Sequence, residues 1–381
     1  MFSIANFGAG ITSAILPLYA VNMGATLSQL GLLFSFIHVS SAVVRMPAGL
    51  MSDRHGYQKF YLLGLLLAVL ALVAAGSAST WSYLIAAAIF AGLSQAFYYI
   101  MQNSIIIRDV SSARRSAAFT WLFVSMNLGE LIGPAIGGAV AEVFDLRTPF
   151  LVSLGIIAAA FFCAFLVFGT HDPPTRQSRS IQDILFALKE EKRLVLRLSF
   201  ARMLYHMPFT VFTPLAVLLL RTEFAATYFE IGVITAASGI GSVLGSLTSG
   251  RLGRMISRRL IIVYGLLGLI PVALTTAFAP SLYIIVVTLG MNTFVWGALI
   301  PNYDSLIGDL SPPKAVALIF STATAFGRLG MILSSVIGGI VAESFGIRSA
   351  FVAIAIMSGS AAVGGLLVPR KDGYSDAQPE A

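Results

Sequence analysis

Five charged side chains stand inside stretches that are otherwise apolar: the acids Glu130 and Asp304, and the bases Arg45, Arg202 and Arg328. A charge in such a setting is costly and marks a path, a pair or a proton site. Glu130, mid-stretch, is the first candidate for binding a coupling proton, because burial disfavours an ionised carboxylate; Asp304 is the second. Polar and aromatic residues recur around these charges at helical spacing. One stripe is Gln95, Tyr98, Tyr99 and Gln102, at i, i+3, i+4 and i+7. Asn6, Gly10 and Ser13 form a second, Arg202, Tyr205 and His206 a third, and Asn292 with Trp296 a fourth. Amides, aromatics and an embedded arginine suit an amphipathic organic solute. Each stripe could equally be a set of helix–helix hydrogen bonds, and His38, Ser41, Arg45 and Arg328 fit an interdomain polar network as well as a site.

Bond-making chemistry finds no support. Four histidines (His38, His55, His171, His206) and Cys163 are scattered and give neither a nucleophile–base pair nor a metal-ligand set. No Gly-Lys-Ser/Thr phosphate loop is present, so ATP-driven work is unsupported. The expectation is no catalytic residues, no metal and no cofactor, with proton coupling as the candidate energy source.

The elements that must hold these residues are membrane helices. Of 381 residues, 57% are hydrophobic and 11% are charged; soluble chains carry about 25% charged residues. Mean hydropathy is +0.88. At ~20 residues a span, twelve spans are expected near 1–23, 28–51, 60–77, 80–103, 116–140, 149–169, 196–220, 229–250, 260–278, 281–305, 315–341 and 348–368. Nothing alternates as the strands of a lipid-facing barrel would. Eighteen of the 24 basic residues fall in the even-numbered connections and the tail, and three in the odd-numbered ones. Lysine and arginine stay on the cytoplasmic side, so both termini are expected there, in a multi-pass protein of the plasma membrane. The net charge of +7 is then a topology signal, and nucleic acid is not an expected partner. The expected partners are lipid and a small solute, and the expected state is a monomer.

The chain repeats itself at an offset of 201 residues, pairing Gly137/Gly338, Gly138/Gly339, Glu142/Glu343, Arg147/Arg348 and Phe150/Phe351 among others. The expected organisation is a six-helix bundle over 1–169, a cytoplasmic linker over 170–195 with an interfacial helix at Ile181–Arg193, a second bundle over 196–368 and a tail over 369–381. The two bundles run parallel, and such duplications place a site at mid-membrane between halves that rock about it. Pro17 aligns with Pro214, so the chain opens without a cytoplasmic segment before span one, and a late start or native truncation is expected.

Two motifs sharpen this reading. Gly49-Leu50-Met51-Ser52-Asp53-Arg54-His55-Gly56-Tyr57-Gln58-Lys59 stands between spans two and three, and Gly129-Glu130-Leu131-Ile132-Gly133-Pro134-Ala135-Ile136-Gly137-Gly138 lies in span five. The first resembles the loop of the major facilitator superfamily, and the second is similar to the pattern of that family's exporters, especially drug/proton antiporters. The resemblance covers almost the whole chain and implies an all-α fold of twelve spans in two pseudo-symmetric six-helix bundles. It implies secondary active transport by alternating access, with spans one, four, seven and ten lining the cavity and Gly49, Asp53, Arg54, Gly56 and Lys59 acting as a gate. The span-five pattern (Gly129, Gly133, Pro134, Gly137, Gly138) points to export, and its small residues are expected to pack on span eight along Ser238, Ser242 and Ser246. Import, or a non-transporting sensor or scaffold on the same fold, is the alternative. Departures are Tyr57 and Gln58 where the family has basic residues, and the absence of an arginine from span four.

Overall fold

The structure is a computed structural model and describes residues 2–110, 112–168, 192–311 and 316–369. Among them the secondary structure is helical throughout: α1 Phe2–Ser13, α2 Ile15–Asn22, α3 Leu27–His55, α4 Tyr57–Gly76, α5 Tyr83–Asp109, α6 Ser112–Val143, α7 Thr148–Phe168, α8 Lys192–Thr222, α9 Tyr228–Met255, α10 Arg258–Ala277, α11 Leu282–Leu310, α12 Val316–Phe345 and α13 Ile347–Leu366. Nine are long and apolar enough to cross a membrane among the described residues, and α1 with α2, bent by 44°, make a tenth. In α5 the described apolar stretch is Tyr83–Tyr98. Large apolar side chains stay exposed along the spans, such as Val167, Leu247 and Ile356, each about 70%, the surface expected of a chain solvated by lipid. Most of the expected interfacial helix, the whole expected tail beyond residue 369 and the linker up to residue 191 lie outside the described residues.

Span one is not a single rod. Pro17 has no N–H to give the Ser13 carbonyl and its ring crowds that carbonyl, and α1 stops at Ser13. Its repeat mate Pro214 sits inside the unbroken α8.

By its contacts the chain divides into two compact units, Met1–Ser178 with Val217–Ala237, and Arg179–Ala216 with Ser238–Ala381. In the first, α1 lies against α6 and α7, and α5 against α3 and α4. Glycines let backbones meet: a methyl at Gly92 would strike the Ile37 carbonyl, and one at Gly64 would lie 2.9 Å from the Tyr98 nitrogen. Hydroxyls tie the same seams, Ser94 donating to the Gly64 carbonyl at 2.7 Å and Ser153 to the Gly8 carbonyl at 2.7 Å. In the second unit α10 packs on α11 and α13, around a core that includes Leu198, Tyr205, Leu266, Tyr303 and Ile307.

The repeat reappears as repeated interactions. Arg147 donates to the Ala78 carbonyl at 2.6 Å, just past the end of α4, and Arg348 donates to the Ala277 carbonyl at 3.1 Å, at the end of α10. Each places a cation on the negative end of the third span of its half. Gly24 turns with φ +85° and Ala225, 201 residues later, takes the same left-handed region at +50°. Asp145 Oδ1 accepts from the Arg147 and Thr148 backbone and from the Thr148 hydroxyl, at 2.7–2.9 Å. The Thr148 hydroxyl is the main cause that holds the Asp145 carboxyl below the usual carboxylate range. A lowered folded value means that this contact contributes at neutral pH and fades as pH falls through that value. Arg147→Ala and Arg348→Ala should each cost roughly 0.3–2 kcal/mol. Sitting in different units, the two losses should add in the double variant, which thermal unfolding of the three proteins in detergent checks.

Candidate functional site

Helix α8 carries Arg202, Tyr205, His206 and Phe209 on one face, by their spacing of three and four. That face meets Trp296, Tyr303 and Asp304 of α11 inside the second unit. Tyr205 is the hub. Its ring lies 5.8 Å from Trp296 and nearly parallel to it at 13°, 5.3 Å from Tyr303, 5.4 Å from Phe209 and 5.0 Å from His206. Such pairs add about 0.5–1.5 kcal/mol each beyond burial. The Tyr303 hydroxyl donates to the Leu198 carbonyl at 2.7 Å, which fixes α11 against α8.

Arg202 is the charged member. It is 7% exposed, donates to Asp304 Oδ1 at 2.5 Å, and sits over the Tyr303 and Phe320 rings at 5.0 and 5.5 Å. The Asp304 side chain keeps 36% of its surface exposed, so one partner is occluded and the other reachable. On α8, the Arg202 Nε and the Tyr205 hydroxyl are buried without a protein hydrogen bond, and so is the Asn292 Oδ1, which lies twelve residues before Asp304, about 18 Å along α11. Buried polar atoms are nearly always satisfied. The Arg202 and Tyr205 atoms mark a place for water or a polar solute beside the pair.

The first unit has a smaller counterpart. Tyr98 of α5 donates to Asn6 Oδ1 of α1, and Tyr98 stacks on Tyr61 of α4 at 5.7 Å. Gln102, one turn further along α5, is buried at 1% beside Tyr61, and the Asn6 Nδ2 has no protein hydrogen bond. The four sequence stripes therefore meet in pairs, span one with span four and span seven with span ten. Their members mostly lie inside their own unit: Asn6, Tyr98, Gln102, Arg202, Tyr205, His206 and Asn292 are buried, while Gln95 and Trp296 are half-buried. The side chains of Tyr99 and Glu130 lie outside the described residues.

The expected gating loop is mostly helix. Helix α3 runs on to His55, so Gly49, Asp53 and Arg54 are helical, and the chain turns only at Gly56 before α4 begins at Tyr57. Gly56 has φ +98°, a conformation that glycine takes without steric cost. Its mate Ser257 turns into α10 with φ −59°, which any residue adopts; this explains why serine suffices there. The side chains of Asp53 and Arg54 lie outside the described residues, and Lys59 is exposed.

The small-residue stripe of span five meets a different helix from the expected one. Methyls at Gly129, Gly133 and Gly137 would strike Asn6, Gly10 and Ile11 of α1, all at backbone atoms. On span eight, Gly241 and Gly245 meet Gly290 and Phe294 of α11, and Ser242 meets Gly297. Spacing of four identifies a face that allows close approach, but not which neighbour uses it. Of the motif's glycines, Gly138 is the one that a methyl would drive into span eight, at the Tyr228 carbonyl and Gly232, and Gly232 in turn meets the Pro134 carbonyl. Next to that contact Glu142 Oε2 accepts from the Tyr228 backbone at 2.7 Å, capping α9 beside the Thr227–Glu230 capping box. This cap was not foreseen; a glutamate one turn past a glycine pair was its only signal. Helix α6 is unbroken through Pro134.

Comparison with known proteins decides the family. The model of the Major Facilitator Superfamily matches residues 1–200 and again 198–381. The chain belongs to the major facilitator superfamily. It is 26% identical over 349 residues to a multi-drug resistance efflux pump PmrA homolog of Lactococcus lactis, covering 88% of this chain and 85% of that protein. It is 26% identical over 362 residues to the multidrug resistance protein MdtG of Proteus mirabilis, covering 90% and 88%. Among solved structures, a bacterial homolog of the human lysosomal transporter Spinster, inward-facing and unoccupied, superposes with a TM-score of 0.81 at 13% identity, covering 100% of this chain and 96% of that one. The nucleoside transporter NupG gives 0.80 at 14% identity, covering 97% and 99%. The fold is thus that of superfamily transporters, and the chain is a membrane-embedded transporter of this family.

Proposed function

We propose that this transporter exports small organic solutes across the plasma membrane by alternating access, driven by an ion gradient, as a monomer with both termini in the cytoplasm. The span one–four cluster of the half over 1–169 and the span seven–ten cluster of the half over 196–368 each offer the solute polar and aromatic groups, and the segment Gly49–Lys59 gates the cytoplasmic side. The observation that carries this reading is the relatedness, over about nine-tenths of the chain, to proteins named as multidrug efflux pumps. The aromatic and amide-rich clusters support it, because flat apolar faces with a few polar atoms accept many amphipathic solutes. Glu130 and Asp304 are the candidate coupling acids.

A growth screen tests the proposal. Expressed in an efflux-deficient bacterial host, the protein should raise the inhibitory concentration of at least one amphipathic toxic compound severalfold. Increased sensitivity across the screen would instead favour import, and no change with normal membrane expression would favour a sensor or scaffold.

A further inference from the structure

The turn between α9 and α10 joins positive charge to exposed apolar surface, and the export reading uses neither. Arg251, Arg254, Arg258 and Arg259 fall within nine residues, and between Glu230 and Asp304 the sequence holds no Asp or Glu. Two of the four are engaged. Arg258 donates to Asp309 and to the Ser305 carbonyl, and Arg259 to the Gly365 and Leu366 carbonyls at the end of α13. Arg251 and Arg254 are exposed, and among the described residues neither has an ion pair or a hydrogen bond. Helix geometry brings both to lipid. The face of α9 with Gly241, Ser242 and Gly245 meets α11. On the opposite face Ile240, Leu244 and Leu247 are exposed, and Arg251 continues that stripe at helical spacing. Helix α10 has 20 residues, about 30 Å, which matches the ~30 Å hydrocarbon layer. Its first residue, Arg258, therefore stands at the layer's boundary, and Met255, Ile256 and Ser257 stand at headgroup depth. Met255 is 81% exposed and Ile256 40%, apolar tips suited to the boundary between headgroups and chains.

We propose that the α9–α10 turn is a site for an anionic phospholipid: Arg251 and Arg254 hold the phosphate, Met255 and Ile256 seat beside the glycerol, and an acyl chain lies along Leu244 and Leu247. Arg251 is four residues before Met255, about 6 Å deeper along α9, and its long side chain reaches the phosphate by snorkelling. A planar guanidinium can take two phosphate oxygens at once. The chemistry favours a headgroup without a cation. A zwitterionic lipid brings an ammonium beside its phosphate, and the carboxylate nearest in the structure, Asp309, is already engaged with Arg258. Phosphatidylglycerol, with one negative charge and no cation, is the simplest fit. Inorganic phosphate shares the charge but lacks the chain that Leu244 and Leu247 would cover. The assignment to the cytoplasmic leaflet rests on the topology proposed above; the lipid preference does not.

The test uses the full chain in lipid nanodiscs. Cys163→Ser removes the one cysteine, and Ser257→Cys places a fluorescent label at the turn, where the Ser257 side chain makes no cap hydrogen bond. Phosphatidylglycerol brominated on its chains just below the headgroup, diluted into phosphatidylcholine, should quench the label severalfold more than phosphatidylcholine brominated at the same carbons. Arg251→Gln/Arg254→Gln should remove that excess. Lys192→Gln/Arg193→Gln, an exposed basic pair on α8, should keep it. All four side chains are exposed, so both variants should elute as the parent does on size exclusion. Equal quenching by the two lipids, an excess that survives in Arg251→Gln/Arg254→Gln, or one lost in Lys192→Gln/Arg193→Gln would overturn the site. An excess removed by millimolar inorganic phosphate at constant ionic strength would assign the arginines to a free anion and overturn the lipid reading. Nanodiscs offer the same lipids on both faces, so a reversed topology or absent dye transport would sink the reading above and leave this site standing.

Discussion

Gly133→Leu should leave almost no monodisperse protein after extraction, although the chain still inserts. A Cβ at Gly133 would fall 2.5 Å from the Gly10 carbonyl carbon, 2.7 Å from the Gly10 Cα and 2.8 Å from the Ile11 nitrogen. These are backbone atoms of a neighbouring helix and cannot rotate aside. Overpacking a core usually costs about 1–3 kcal/mol, and here the whole of α1 must move off α6. Gly155→Leu is the matched control, because a Cβ there meets nothing within 4 Å. Size-exclusion profiles of the two variants check the prediction. A Gly133→Leu protein that elutes and melts like Gly155→Leu would show that α1 does not rest on α6 as described.

Tyr205→Ala should be the most damaging single change in the second unit. The side chain is 1% exposed and its ring borders those of His206, Phe209, Trp296 and Tyr303. Removing a buried aromatic typically costs about 3–5 kcal/mol. Tyr205→Phe should behave differently. The hydroxyl has no protein partner, so its loss should leave the melting temperature nearly unchanged, while transport of a polar solute should fall. Thermal melts and uptake measured on the same preparations separate the two effects. A large loss of stability in Tyr205→Phe would mean that the hydroxyl serves packing.

Much of this was legible in the sequence. Hydropathy and basic-residue placement announce a polytopic helical protein, since lipid admits little else. The repeat was legible because it preserves caps and turns as well as apolar residues: Arg147 and Arg348 hold the same helix end in each half, and Ala225 accepts a left-handed turn to match Gly24. The polar stripes mark helices whose polar residues meet, as Tyr98 does Asn6 and Arg202 does Asp304, but the spacing names no pairing. Partner choice was less legible. Glycines at intervals of four read the same whichever helix they meet, so the α1–α6 seam could not be told from a span five–eight seam. The break at Ser13 was visible only as Pro17, whose counterpart in α8 breaks nothing. Nor does spacing along one helix show that Tyr205 would gather rings from two helices into one cluster, because that depends on the rotation of α11 against α8.

The central claim is that the chain moves organic solutes outward against their gradient. Inside-out membrane vesicles test it most directly, because solute leaving the cytoplasmic face then accumulates in the lumen. With Hoechst 33342 as the probe and a proton gradient imposed, acid inside, vesicles containing the protein should draw the dye from the membrane severalfold faster than vesicles without it, and dissipating the gradient should remove the difference. Equal rates in protein-containing and protein-free vesicles, with gradient and expression verified and with the same outcome for each compound found active in the growth screen, would contradict the account.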